Sequence, residues 1–157
     1  ETPPEIPCTT FSILFSRSKG DLEEAVRGAM ALERLRPGDK VLIAEACSHH
    51  AIQDDIGRVK IPRWLSRYKG FDVPVEVCAG KDFPENLKNF RFVIHCGACM
   101  FTRREMLARI ERAREQGVAL TNYGVAIAYL QGVLPRVLSP FPSAFMVCRE
   151  TMATHLS

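Results

Sequence analysis

Apolar positions along the chain alternate between two periods, and the alternation sets out the elements. Leu22, Ala25, Val26, Ala29 and Met30 recur at the spacing of one helix face, and Asp21 with Glu24 supplies an N-terminal cap. Pro37-Gly38-Asp39 closes that helix before Val41-Leu42-Ile43-Ala44, an unbroken apolar run of buried-strand length. Phe92-Val93-Ile94 and Val118-Ala119-Leu120 read as further core strands, and Val73 to Cys78 as another. Thr10 to Phe15 is a short apolar run that also suggests a strand. Ile61-Pro62-Arg63-Trp64-Leu65 opens a helix with proline tolerated in its first turn, and Asp82-Phe83-Pro84-Glu85 is expected to open a short helical segment. Thr102 and Glu105 spell a capping box ahead of a Met106, Leu107, Ile110, Ala113 stripe that Gly117 ends. Val125 to Leu134 is apolar on nearly all sides, as a covered helix would be, with Pro135, Pro140 and Pro142 ending it.

Strands alternating with helices over short connections predict an α/β fold: an open, mostly parallel sheet flanked by helices on both faces, layered like a Rossmann domain. Ligand sites in such sheets lie at the carboxyl ends of the strands. Cys47, the pair Cys96 and Cys99, and Thr121-Asn122-Tyr123 each follow a strand, so all are expected at one edge. Residues 10–157 are read as a single domain. Residues 1–9, with Thr2-Pro3-Pro4-Glu5-Ile6-Pro7, are read as an extended linker, and the opening Glu1 suggests a piece of a longer protein.

Composition narrows the class. With 157 residues and 46% hydrophobic residues, disorder, collagen and coiled coil are excluded. A net charge of +3, from 21 basic and 18 acidic residues, does not announce nucleic acid or an acidic membrane as partner. No apolar stretch approaches the roughly 20 residues of a membrane span. Six cysteines are too few and too unevenly spaced for a disulfide scaffold, which points to a reducing, cytoplasmic compartment.

The chemistry lies in the spacing Cys47-x-His49, then 45 residues, then His95-Cys96-x-x-Cys99. Three thiolates suit either an iron-sulfur cubane with one iron left open or a closed Cys3His zinc site. His49 is a candidate ligand. His95 and His50 are read as groups that orient the ligands from behind. Asp54 and Asp55 offer hard oxygens of the kind that hold an exchangeable metal weakly. Cys78 is read as a core thiol, and Cys8 and Cys148 as incidental. Arg58 and Lys60, with Arg103 and Arg104 beside the cysteine pair, are candidates to neutralise an anionic cofactor. Asn122 and Tyr123 sit on the same edge.

These residues resemble the iron-sulfur domain of the [FeFe]-hydrogenase maturation scaffold, the GTPase-type maturase HydF. The resemblance runs from about Phe11 to Phe141. It is carried by Ser16-Arg17 with Lys19-Gly20-Asp21-Leu22, by Pro37 to His50, by Asp54 to Leu65, by His95 to Met100, by Arg103 to Leu107 and by Thr121 to Gly124. It implies a [4Fe-4S] cluster on Cys47, Cys96 and Cys99 with a labile fourth site, for which Asp54 and His49 are the candidates. It further implies a carrier that receives a diiron carbonyl/cyanide precursor from radical-SAM maturases and delivers it to the hydrogenase apoprotein. The phosphate-binding loop of the family's GTPase domain is not in this sequence, so no enzymatic activity is expected of this stretch. Much of the family's dimerisation region is likewise missing, which suggests a homodimeric full-length protein and a monomeric fragment. Two rival readings stand beside this one: a structural zinc domain, and a thioredoxin-like dithiol oxidoreductase built on Cys96 and Cys99.

Overall fold

The computed structural model describes residues 3, 6–46, 55–98 and 100–155. Four strands, β1 (Val41–Glu45), β2 (Val75–Ala79), β3 (Phe92–His95) and β4 (Ala119–Asn122), form one all-parallel sheet in the order β2-β1-β3-β4. The helices are α1 (Phe11–Lys19), α2 (Leu22–Met30), α3 (Ile61–Lys69), α4 (Arg103–Glu115), α5 (Tyr123–Leu130), α6 (Leu134–Leu138) and α7 (Pro142–His155). A 3-10 turn covers Ala31–Arg34 and one turn of π-helix covers Ile56–Lys60. The α/β fold with helices on both faces is the one the alternation predicts.

The strands' side chains divide between the faces with a period of two, as a pleated sheet requires. Val41, Ile43, Phe92 and Ile94 pack with Ile61 and Leu65 of α3 and Ala126 of α5. Leu42, Ala44 and Val93 point the other way, onto Met106, Ile110 and Ala113 of α4. A third apolar cluster joins α1, α2, α5, α6 and α7. It closes one sheet edge: α2 crosses β4 so tightly that a Cβ on Gly28 would lie 2.0 Å from the Leu120 carbonyl oxygen. Thr121 also donates its hydroxyl to the Ala25 carbonyl at 2.7 Å.

The caps form as read. The Asp21 carboxylate accepts from the Glu24 amide at 3.0 Å, and both arms of the Thr102–Glu105 box are present. Four expectations are corrected. Thr10 to Phe15 is not a strand, because Thr10 caps a helix at the Ile13 amide and Ile13 and Ser16 form its buried face. No helix opens at Asp82. Phe83 and Leu87 are buried there from an irregular loop, whose backbone is satisfied by the Gln116 side chain through the Leu87 amide and the Glu85 carbonyl, each at 2.7 Å. The apolar run from Val125 is two helices rather than one, since Gly132, at φ 72°, stops α5 and Pro135 sits in the first turn of α6. Cys148 is not incidental: α7, which the prolines had obscured, buries it fully in the third cluster.

Candidate functional site

Parallel register brings the carboxyl ends of the strands to one edge. Glu45 lies opposite Ala79, Ala44 opposite His95, and His95 opposite Asn122. Cys96 leaves β3 with its amide on the Ala44 carbonyl at 2.8 Å, and its sulfur accepts the Ala46 amide at 3.0 Å. Ala46 immediately precedes Cys47 in the chain. Cys47, His49, His50, Asp54 and Cys99 lie outside the described residues. Among the described residues, no group of three or more His, Cys, Asp or Glu side chains is placed to hold a metal ion.

The turn after Cys96 is strained. Ala98 has φ 54°, a left-handed conformation that costs a non-glycine residue roughly 1 kcal/mol. Glycine would relieve it, but the Ala98 methyl is buried against the α4 face of the sheet. The Ala98 carbonyl then accepts the Phe101 amide, and Lys19 donates to the Phe101 carbonyl at 3.3 Å.

His95 is fully buried. Its Nε2 lies 2.8 Å from the Arg109 guanidinium and its Nδ1 2.9 Å from the Cys96 carbonyl oxygen. Arginine can only donate, so Nε2 accepts and the proton resides on Nδ1, which donates to the Cys96 carbonyl. Burial, and after it the Arg109 charge, lower the His95 pKa to about 4, against the opposing effect of the Cys96 hydrogen bond. Both ring nitrogens of His95 are therefore occupied within the protein.

Arg109 was not among the residues the sequence singled out. Its guanidinium lies between the rings of Phe101 at 4.3 Å and Phe83 at 4.5 Å and also donates to the Gly80 carbonyl. The signal was present: Met106, Arg109, Ile110 and Ala113 follow helix-face spacing, with a cation on a buried stripe. On the same flank, burial pushes the half-buried Cys78 thiol up to about 11, consistent with a core thiol.

Arg58 meets the Glu45 carboxylate through Nη2 at 2.7 Å and Nε at 3.3 Å, which raises its pKa. Asp55 caps the π turn, accepting from the Arg58 amide at 2.9 Å. Lys60 ends that turn half-buried. Arg103 donates to the Ser18 carbonyl at 2.9 Å, and Arg104 is exposed. Asn122 caps α5 through the Val125 amide and donates to the Ser16 hydroxyl at 2.8 Å. The Tyr123 hydroxyl is buried with no hydrogen-bond partner among the described residues, against Gly57, where a Cβ would stand 1.9 Å away. Burial, reinforced by the Glu45 charge, raises the Tyr123 pKa. A cavity of about 170 Å³ adjoins these groups, lined by Phe15, Lys19, Ile56, Cys96, Asn122 and Tyr123 among others.

No helix among the described residues is long and apolar enough to cross a membrane. No curated protein matches the chain. The family described as the hydrogen maturase F tetramerization domain matches residues 23–140. That description names a tetramer, where the sequence resemblance had suggested a dimer for the full-length protein and a monomer for this stretch. A match over most of the chain, on the fold and edge just described, makes this protein a member of the hydrogen maturase F tetramerization-domain family, with a role in hydrogenase maturation.

Proposed function

We propose that this domain is a carrier in [FeFe]-hydrogenase maturation, holding a [4Fe-4S] cluster on Cys47, Cys96 and Cys99 and a diiron carbonyl/cyanide unit as its cargo. One observation carries the reading: the Ala46 amide on the Cys96 sulfur at 3.0 Å, which joins the strand leading to Cys47 with the turn leading to Cys99. An amide donor favours the thiolate form that an iron ligand needs. His95 is held neutral and fully hydrogen-bonded behind Cys96, which fits an orienting role, and the ligand set needs no nitrogen from it. Asp54 and His49 are the proposed weak ligands of the fourth site, and His50 is proposed to orient them. When bound, such a cluster supplies one exchangeable, Lewis-acidic iron at which a cargo ligand attaches.

The chain's own residues supply the rest. The cavity beside Cys96 offers room with an apolar wall for carbonyl ligands. Lys60 and Arg104 are proposed to offset cargo charge, whereas Arg58 and Arg103 already have protein partners. Asn122 shapes the start of α5 beside that cavity, and Tyr123 lines it, its buried hydroxyl being a donor without a partner among the described residues. Radical-SAM maturases would load the cargo and the cytoplasmic hydrogenase apoprotein would receive it, with no catalytic step by this domain. The test is anaerobic reconstitution, incubation with a diiron carbonyl/cyanide complex, desalting and infrared spectroscopy. Carbonyl and cyanide bands that stay with the protein and pass to apo-hydrogenase are expected. A colourless protein containing zinc and retaining no bands would overturn the reading.

A further inference from the structure

Arg109 is a half-buried cation with no carboxylate at ion-pair distance among the described residues. Removing such a charge from water is costly unless its donors are satisfied. Here the compensation comes from neutral groups: two aromatic faces within cation–π range, one backbone carbonyl and one imidazole nitrogen. They come from three segments around the strand-end edge. Gly80 and Phe83 lie after β2, His95 ends β3, and Phe101 follows the Cys96–Cys99 turn. The His95 ring also packs against Phe83 and Phe101, so Arg109 and His95 together tie the three segments.

From this geometry we propose that Arg109 is the positioning residue of the cluster loop: through His95 it fixes the Cys96 carbonyl, and its positive charge, held by neutral groups, lies on the His95 side of Cys96. The inference rests on the cluster reading above. Two consequences follow. The Arg109 donor selects the Nδ1-protonated tautomer of His95, which orients the ring toward Cys96. The charge stabilises a more negative, reduced cluster and so raises its potential, since net charge nearby is one of the quantities that set it.

The test uses wild type, Arg109→Gln and Arg109→Lys. Imidazole nitrogen-15 spectra of the metal-free proteins read the His95 tautomer. Redox titration of the reconstituted proteins read by EPR gives the midpoint potential. Arg109→Gln is expected to mix the tautomers and shift the potential negative, while Arg109→Lys keeps the charge and most of the potential but loses the ring sandwich. A single unchanged tautomer together with an unchanged potential in Arg109→Gln would overturn the proposal. If Arg109→Gln does not fold, Arg109→Lys decides: the wild-type potential supports a charge effect, and a shift as large as cluster-loop disorder produces counts against it. Wild-type protein that takes up no iron would sink the cluster reading itself, whereas an intact cluster with indifferent Arg109 variants would sink this inference alone.

Discussion

Two arginines flank the strand-end edge, and they are held in opposite ways. Arg58, beyond β1, lies against the Glu45 carboxylate, with the acid side chain 12% and the arginine side chain 34% exposed. Arg109, on α4, is held by two rings, a carbonyl and a neutral histidine, with no carboxylate at ion-pair distance among the described residues. Both are guanidinium groups, yet one is paired with a carboxylate and the other, on the side of Cys78 and Cys96, has no carboxylate at ion-pair distance among the described residues. A basic residue in a motif therefore says little about the field it supplies until its partner is known. The sequence points to Arg58 as a charge for the cargo, while in the structure it is Arg109 that has no ion-paired carboxylate among the described residues.

The comparison can be broken from either flank. Arg109→Ala removes two hydrogen bonds and the filling between two rings, and we expect a loss of about 3 kcal/mol in the metal-free protein, read as a fall in Tm of roughly 10 °C. A loss below about 1 kcal/mol would mean the sandwich is incidental. On the same flank Cys78 holds its proton: a pKa raised by burial from 9.0 to about 11 cuts its thiolate fraction below pH 9 about 100-fold. Alkylation of Cys78 with iodoacetamide at pH 8 should slow accordingly relative to a small thiol with the ordinary value. Ordinary reactivity would contradict the burial.

The Arg58 flank should respond less. Gly57→Ala drives a methyl into the Tyr123 hydroxyl, and a cost of about 2 kcal/mol is expected, falling in a Tyr123→Phe background where the contacted oxygen is gone. Equal cost in both backgrounds would place the clash elsewhere. Arg58→Ala leaves the Glu45 carboxylate without its guanidinium partner, and because that partner is itself 34% exposed the expected loss is about 1 kcal/mol. A double-mutant cycle with Glu45→Ala measures the coupling. A value near that of Arg109→Ala would erase the difference between the flanks.

How much of this was legible follows from which forces act locally. Asp21, Thr102 and Glu105 announced their helices because a cap is a contact over three residues. Val41 to Ala44 and Phe92 to Ile94 announced a sheet covered on both faces because continuous apolar runs have few other uses. Thr10 to Phe15 misled because an apolar run too short for a period fits either element, and its cap at Thr10 decided the outcome. The Asp82 segment misled because its backbone is satisfied from Gln116, some thirty positions away. The edge carrying Cys96 follows from its place directly after a strand of a parallel sheet. The Glu45–Arg58 pair spans 13 positions and the Arg109 contacts reach as far as Gly80, 29 positions away, and no spacing rule links them.

The central claim is that the strand-end edge around Cys96 holds an iron-sulfur cluster. The most direct test is iron and sulfide analysis with EPR after anaerobic reconstitution, on wild type and on Cys47→Ala, Cys96→Ala, Cys99→Ala and Cys78→Ala. The account predicts about four irons and four sulfides per chain in wild type and Cys78→Ala, and loss in each of the other three. Full iron retained in Cys96→Ala, or zinc in place of iron throughout, would contradict it.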